Sequence, residues 1–137
     1  MNKVKQTERG WAGHFICANR CRFRRNTLLE CNNVGVVIST VGLMEAHWKE
    51  GDKFYGGAFE EIGYNRYFET MAFYADPNDK RYHDIDVTKQ IDFDSKWAIN
   101  EIDADDKAND MHEAVVSEIH DKLERGELTP QNDNPPH

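Results

Sequence analysis

Long apolar runs, a complete catalytic motif and an even set of cysteines are all missing from this chain of 137 residues. No apolar run approaches the roughly 18 residues that a membrane-spanning helix needs. Residues 1–8 carry charge and are followed by no apolar segment, a pattern unlike that of a signal peptide. We therefore predict a cytoplasmic protein that makes no contact with a membrane.

Catalytic motifs are lacking in several forms. The chain has no Ser-His-Asp order, no phosphate-binding loop and no Gly-x-Gly-x-x-Gly motif. Its six histidines include no i,i+4 pair and no His-x-His motif. We therefore expect a protein that is not an enzyme and that carries no cofactor.

The cysteines are few. Three is an odd number, which argues against a disulfide framework in a reducing compartment. Four residues of the types that zinc prefers are nevertheless near one another in the sequence: His14, Cys17, Cys21 and Cys31. Their spacing lacks the Cys-x-x-Cys pair of zinc knuckles, and in a strand cysteine is commonly a small buried hydrophobe. A small zinc-binding protein stays open as an alternative.

Charge is abundant and unevenly distributed. Residues 1–44 carry seven basic and two acidic residues, whereas residues 92–137 carry four basic and thirteen acidic residues. The whole chain has a formal net charge of -8. This asymmetry favours pairing of the two parts within one chain or in a homo-oligomer, and an acidic surface that repels or imitates nucleic acid. Direct nucleic-acid binding is therefore not expected.

Four of the eight arginines lie within residues 20–25. Strand alternation places Arg22 and Arg24 on one face, while Arg25 falls on the apolar face, either as a bulge or as a partnered charge. Guanidinium groups bind phosphates through paired hydrogen bonds. All three are candidate ligand-binding residues, although an exposed strand face neutralised by the acidic region is the simpler explanation.

A hairpin is predicted to follow the arginines. Asn32-Asn33 indicates a two-residue turn, because asparagine tolerates a positive φ angle. The turn would set the register so that Arg25 pairs with Thr40. Ser39 and Thr40 would then lie beside the arginines and add hydroxyl groups to a phosphate site.

Aromatic residues are concentrated between residues 64 and 74. Tyr67 or Phe73 could stack on a nucleotide base while Asn65 reads its edge. The alternative, which the composition of a buried sheet favours, is that the aromatic rings belong to the core.

The remaining pattern predicts the fold. Residues 34–42 read as a central strand buried on both faces, and residues 66–75 and 82–91 as a hairpin. Apolar residues at a 3.6-residue period predict a helix from about Asp105 to Arg125. We therefore predict an α+β fold: an antiparallel sheet of about five or six strands with a C-terminal amphipathic helix. A single domain would span 1–126, with loose residues at 1–10, a short strand at 14–18 and a disordered tail at 127–137.

Four segments together resemble small accessory proteins of tailed phages and prophages: residues 10–18 (GWAGHFICA), 23–29 (FRRNTLL), 39–42 (STVG) and 67–73 (YFETMAF). The resemblance spans roughly residues 8–125 and carries no catalytic residues. It implies an anti-defence protein that acts in the cytoplasm of a host cell.

Two binding functions follow as hypotheses. In the first, the protein sequesters a small phosphate-bearing nucleotide signal of host immunity, held by the arginines and an aromatic ring. In the second, the acidic segment 92–127 covers the nucleic-acid channel of a host defence protein, as an anti-CRISPR-like inhibitor or nucleic-acid mimic would.

Overall fold

The computed structural model describes residues 2–9, 14, 20–50, 53–79 and 84–130, with the backbone alone described at 46–50 and 53–58. Within these residues the chain forms seven strands and one helix: β1 (Lys5–Arg9), β2 (Cys21–Cys31), β3 (Val34–Glu50), β4 (Lys53–Glu60), β5 (Phe68–Ala75), β6 (Ile85–Ile91), β7 (Ala98–Ile99) and α1 (Asp105–Glu124). All pairings are antiparallel. The α+β class, the antiparallel sheet and the C-terminal helix are thus confirmed.

The sheet has the order β1-β2-β3-β5-β6, with β4 paired to β3 and β7 paired to β5. Strand β3 pairs with β5 up to Gly42, with β2 up to Met44, and with β4 from Met44 onward. Leu43, between the two stretches, has a φ of 56°, a left-handed conformation that is strained for leucine. Strand β3 thus extends to Glu50 and forms a hairpin with β4.

The β2–β3 hairpin has the predicted turn and register. Asn32 and Asn33 have φ angles of 48° and 68°, as a two-residue turn with two left-handed positions requires. Arg25 pairs with Thr40, and the pairing is regular on both sides of it. Arg25 therefore lies on the apolar face without a bulge.

The core lies on both faces of the central strand. Residues 36–41 of β3 are all 0% exposed, which confirms the prediction of burial on two sides. On one face, the helix side, α1 packs its apolar stripe against the sheet: Ala108, Met111, Val115, Ile119 and Leu123 are all buried. We call the opposite face the far side.

Strand β1 corrects the expectation of a loose N-terminus. Lys5–Arg9 pairs with Asn26–Glu30 at the edge of the sheet. Its residues lack an apolar alternation because edge strands are commonly polar on both faces and are held by backbone pairing. The Arg9 guanidinium also donates to the Asn26 side chain at 3.1 Å.

The ends of the predicted domain are described only in part. Leu128, placed by the sequence in a disordered tail, packs against the core, whereas residues 131–137 lie outside the described residues. The strand predicted at 14–18 also lies outside them apart from His14, as do residues 80–83 of the second hairpin. No helix in the described part of the chain is long and apolar enough to cross a membrane.

Candidate functional site

Arg25 is a partnered charge on the helix side. Its Nε donates to Glu8 Oε1 at 2.8 Å, and its guanidinium also pairs with Glu113 of α1. Burial would raise the pKa of Glu8, but hydrogen bonds from Arg25 and Thr27 outweigh it and hold the pKa below its ordinary value. The carboxylates of β1 and α1 thus already occupy the guanidinium that the alternation singled out.

Thr40 belongs to a buried hydrogen-bonded chain beside Arg25. Its hydroxyl lies 2.6 Å from Thr70 Oγ1 and 2.6 Å from His112 Nδ1. His112 Nε2 in turn lies 2.7 Å from Thr27 Oγ1, which donates to Glu8 Oε2 at 2.6 Å. Since Thr27 donates to a carboxylate, it accepts from Nε2–H, and Thr40 donates to the bare Nδ1. The chain ties α1 to four strands, β1, β2, β3 and β5.

His112 is neutral in this setting. It is 0% exposed, and burial, with the nearby charge of Arg25, lowers its pKa to about 4 against the opposing charges of Glu8 and Glu113. Its two ring nitrogens are both satisfied by hydroxyl groups. The histidine therefore joins the helix to the sheet as a neutral hydrogen-bonding group at neutral pH.

Ser39 and Phe73 lie on the far side, where they meet His14. The Nδ1 of His14 is 3.0 Å from Ser39 Oγ, its Nε2 is 2.6 Å from Glu69 Oε2, and its ring packs against Phe73 at a tilt, with the ring centres 5.8 Å apart. Burial would raise the pKa of Glu69, but hydrogen bonds from His14 and Arg66 hold it below its ordinary value. Sequence analysis missed this cluster because Ser39 and Glu69 lie 25 and 55 residues from His14 along the chain.

The Ser39–His14–Glu69 order is that of a nucleophile, a base and an orienting acid. Ser39, however, is 0% exposed and lies on a central strand paired on both sides, with Asn26 and Met71. Backbone N–H groups there belong to the sheet, so they are not aimed at a reacting oxygen. The arrangement suits a buried polar contact that holds His14 against the sheet.

Arg22 and Arg24 differ from Arg25, whose guanidinium is partnered. Both are exposed, and neither side chain makes an ion pair or hydrogen bond with the described residues. Arg20, by contrast, donates to the Glu45 carbonyl at 2.6 Å, and Arg66 to Glu69 at 2.9 Å. Of the predicted cluster, the structure thus leaves Arg22 and Arg24 as the guanidinium groups without an internal partner in the described part of the chain.

A pocket of about 550 Å³ opens beside Arg22, at the start of α1. Arg22 and Lys107 supply its positive charges, and the remaining lining is apolar or acidic: Leu43, Phe59, Ile102, Asp103, Ala104, Asp105 and Asp106. Ala104 provides no side-chain cap for the helix. The volume falls within the range of roughly 300–1,000 Å³ that small-molecule sites occupy.

Asn65 and Tyr67 lie apart from the arginines. Asn65 sits in the exposed β4–β5 loop, where its Oδ1 accepts a hydrogen bond from Asn100 Nδ2 at 2.8 Å. Tyr67 packs against the cluster around Phe68 and Met111. The structure therefore does not bring the predicted aromatic and amide residues into one site with Arg25 and Thr40.

The four zinc candidates are not brought together either. Cys21 and Cys31 stand at opposite ends of β2, and ten strand residues span about 33 Å. His14 instead contacts Ser39 and Glu69, while Cys17 lies outside the described residues. A single ion therefore cannot contact Cys21 and Cys31 together.

Acidic side chains cover the solvent side of α1 and the residues before it. We call this surface the acidic helix face; its members are all exposed: Glu101, Asp103, Asp105, Asp106, Asp110, Glu113 and Asp121. The Lys107 ammonium, on the same surface, is held by both oxygens of Glu101 at 2.8 Å. This part of the acidic segment is thus a continuous exposed surface.

The described residues define an α+β protein with one antiparallel sheet, two buried histidine networks and an open pocket at the start of its helix. Comparison with protein-family models, with curated proteins and with solved structures gave no match. The resemblance to phage accessory proteins stays a prediction, and function has to be argued from the residues themselves.

Proposed function

We propose that the protein is a non-catalytic binding protein that sequesters a small phosphate-bearing nucleotide. The observation that carries the proposal is Arg22, which lines the pocket at the start of α1 and is exposed without a partner among the described residues in a chain of net charge -8. A guanidinium near so many carboxylates would gain from pairing with one, so its freedom favours an external anion.

The pocket beside Arg22 would hold the base of such a ligand. Phe59 and Leu43 supply an apolar surface against which a base could pack. Asp103, Asp105 and Asp106 on the same wall repel a polyanion such as nucleic acid more strongly than a ligand with one or two phosphates. The expected ligand is therefore a small cyclic nucleotide or an ADP-ribose derivative.

The biological role follows from the resemblance noted above. We propose that a phage uses the protein in the host cytoplasm to remove a nucleotide signal of host defence. Association into a homo-oligomer is part of the same proposal, since a second copy would complete a pocket that is open on one side. Native mass spectrometry measures the assembly and any nucleotide that purifies with it.

Isothermal titration calorimetry with a panel of cyclic nucleotides and ADP-ribose derivatives tests the proposal. We expect binding of at least one member, and a loss of affinity of about tenfold or more in Arg22→Gln, because a charge-assisted hydrogen bond contributes about 1.5–3 kcal/mol. Arg125→Gln is the matched control, since Arg125 is an exposed arginine at the far end of α1. Absence of heat with every member, or equal losses in both variants, would overturn the proposal.

A second candidate function rests on the acidic helix face, which would cover the nucleic-acid-binding surface of a host defence protein. Between Asp105 and Asp121 the helix runs about 24 Å. Five exposed carboxylates lie on this length, about one per 5 Å against about one phosphate per 3.4 Å of a DNA strand. The density is close enough for the helix to imitate part of a phosphate backbone.

Phage plating on bacteria that each carry one nucleic-acid-binding defence system tests this second function. The wild-type protein should restore plating on at least one strain, and the double variant Asp106→Lys, Asp110→Lys should lose the effect. Asp84→Lys with Asp92→Lys makes the same change of net charge on another surface, where both residues are exposed. Equal behaviour of the two double variants, or no restored strain, would argue against it.

A further inference from the structure

Two large aromatic side chains, Tyr64 and Trp97, are exposed on the segments that precede β5 and β7. Tyr64 is 93% exposed, Trp97 46% and Ile102 50%, and these are three of the four large hydrophobic residues that stand out in the described part of the chain. Tyr64 belongs to the loop between β4 and β5, while Trp97 and Ile102 flank β7. Clustered exposure of this kind marks contact surfaces, whereas scattered exposure does not.

Hydrogen bonds hold the loop that presents Tyr64. The Asn65 N–H donates to Glu61 Oε2 at 2.8 Å, and the Ile62 N–H donates to the Arg66 carbonyl at 3.0 Å. Asn65, with a φ of 57°, is further fixed by the hydrogen bond from Asn100. The Tyr64 ring therefore projects from a loop whose backbone is already ordered, so that little conformational entropy is lost on binding.

Arg66 connects this loop to Trp97. Its guanidinium carbon lies 5.1 Å from the centre of the Trp97 ring, and its Nε donates to Glu69. Gly63 makes room for it, because a Cβ there would lie 2.3 Å from the guanidinium. Its Nη1 also donates to the Tyr64 carbonyl at 3.4 Å, so Arg66 contacts both the backbone that carries the Tyr64 ring and the Trp97 ring.

The charges around this surface indicate what could bind. Glu61 and Asp103 are exposed on the neighbouring segments, while the charges of Glu101 and Arg66 are balanced by Lys107 and Glu69. Lys96, next to Trp97 in the sequence, is exposed as well. A nucleic acid would bring phosphates toward these carboxylates, whereas lysine or arginine side chains would pair with them. Tyrosine, tryptophan and arginine are also the residue types most enriched where binding energy concentrates in protein interfaces.

We propose that Tyr64 and Trp97 form the apolar anchor of a docking surface for a protein segment that presents apolar side chains flanked by lysine or arginine. The proposal is independent of nucleotide sequestration. The partner would be of the same kind as the one considered for the acidic helix face, a host defence protein, and this surface would add apolar contacts to it.

Selection of peptides from a random 12-residue library against the immobilised full-length protein tests the proposal. We expect enriched peptides to combine apolar residues with lysine or arginine. Their affinity should fall at least about thirtyfold in Tyr64→Ala or Trp97→Ala, the change that a loss of about 2 kcal/mol gives. Val87→Ala is the control, because Val87 is 61% exposed on β6 and truncation there should leave affinity unchanged.

Further arms separate this proposal from the functions above. Peptides that bind Tyr64→Ala as well as wild type, but lose affinity in Asp106→Lys, Asp110→Lys, would overturn the anchor and leave the acidic helix face in place. Failure to enrich any peptide would overturn the anchor and leave nucleotide binding untouched. Tighter binding of a single-stranded oligonucleotide than of the peptides would also overturn it.

Discussion

The two sides of the sheet each bury a histidine, and they do so by different means. On the helix side, His112 bonds only to hydroxyl groups, and the charges of Glu8, Arg25 and Glu113 stay at the rim of the network. On the far side, His14 bonds directly to the carboxylate of Glu69. One network carries no charge into the core, whereas the other does.

This difference predicts different responses to mutation and to pH. A buried neutral histidine contributes to the stability of the fold only while it stays neutral, so acid that protonates it destabilises the protein. A carboxylate with a histidine and an arginine around it is stable as long as the carboxylate stays charged, so both loss of the acid and strong acid disrupt it.

The largest effect is expected from His112→Ala. The substitution removes a fully buried ring and leaves the hydroxyl groups of Thr27 and Thr40 without their shared partner. We expect a loss of about 4 kcal/mol in the free energy of unfolding, from the cavity and the unpaired polar groups together. Urea denaturation at pH 7.5 measures it. His120→Ala, at a half-buried position of the same helix, should lose less than about 1 kcal/mol, and a similar loss in both would contradict the assignment.

The helix-side half of this comparison was only partly predictable. Asn32 and Asn33 indicated the turn because their side chains tolerate positive φ, and the turn alone then fixed the pairing of Arg25 with Thr40. The apolar period of α1 likewise indicated which of its faces packs. His112 and Glu8 were missed, since strand β1 has no apolar pattern and the chain from Thr27 to His112 joins residues 85 apart.

The far side was less predictable still. Ser39, His14 and Glu69 come from three separate segments, and nothing in their local sequence distinguishes them from other polar residues. Arg22 and Arg24 were correctly noticed as a charge cluster, but only the structure shows that Arg25 is satisfied internally while its neighbours are not. Pattern reveals secondary structure, whereas the pairing of charges depends on long-range contacts.

The second effect is a loss of stability in mild acid. The pKa of His112 is about 4 in the folded protein and 6.5 in the unfolded chain. Between these pH values the unfolded chain therefore binds a proton that the folded protein does not. Stability is therefore complete above pH 6.5 and falls by about 3 kcal/mol as the pH approaches 4. Urea denaturation at several pH values should show this slope, and His112→Gln, which cannot titrate, should lack it. Parallel curves for the two proteins would contradict the prediction.

The third effect tests the far side. Glu69→Gln should lower the free energy of unfolding by about 2–3 kcal/mol at pH 7, because His14 and Arg66 lose a buried carboxylate. The pKa of Glu69 lies below its ordinary value, so its contribution is present above pH 4.5 and disappears as the pH falls through the folded pKa. The difference between the two proteins should therefore shrink as the pH falls below 4.5. Glu60→Gln, at an exposed carboxylate 3.8 Å from Arg20, should change stability by less than about 0.5 kcal/mol.

The smallest effect joins stability to the proposed function. Arg25→Gln removes the pairs with the exposed carboxylates of Glu8 and Glu113, and we expect a loss of only about 1 kcal/mol. It should also raise the pKa of His112, since the Arg25 charge opposes its protonation, and so narrow the pH range of acid destabilisation. Arg24→Gln, at an exposed arginine without an internal partner in the described chain, should leave the free energy of unfolding and the pKa of His112 unchanged.

If Arg25→Gln instead left stability unchanged and abolished nucleotide binding, Arg25 would be a ligand residue whose carboxylate partners exchange with phosphate. If Arg24→Gln destabilised the fold as much, the division between satisfied and free arginines would be wrong.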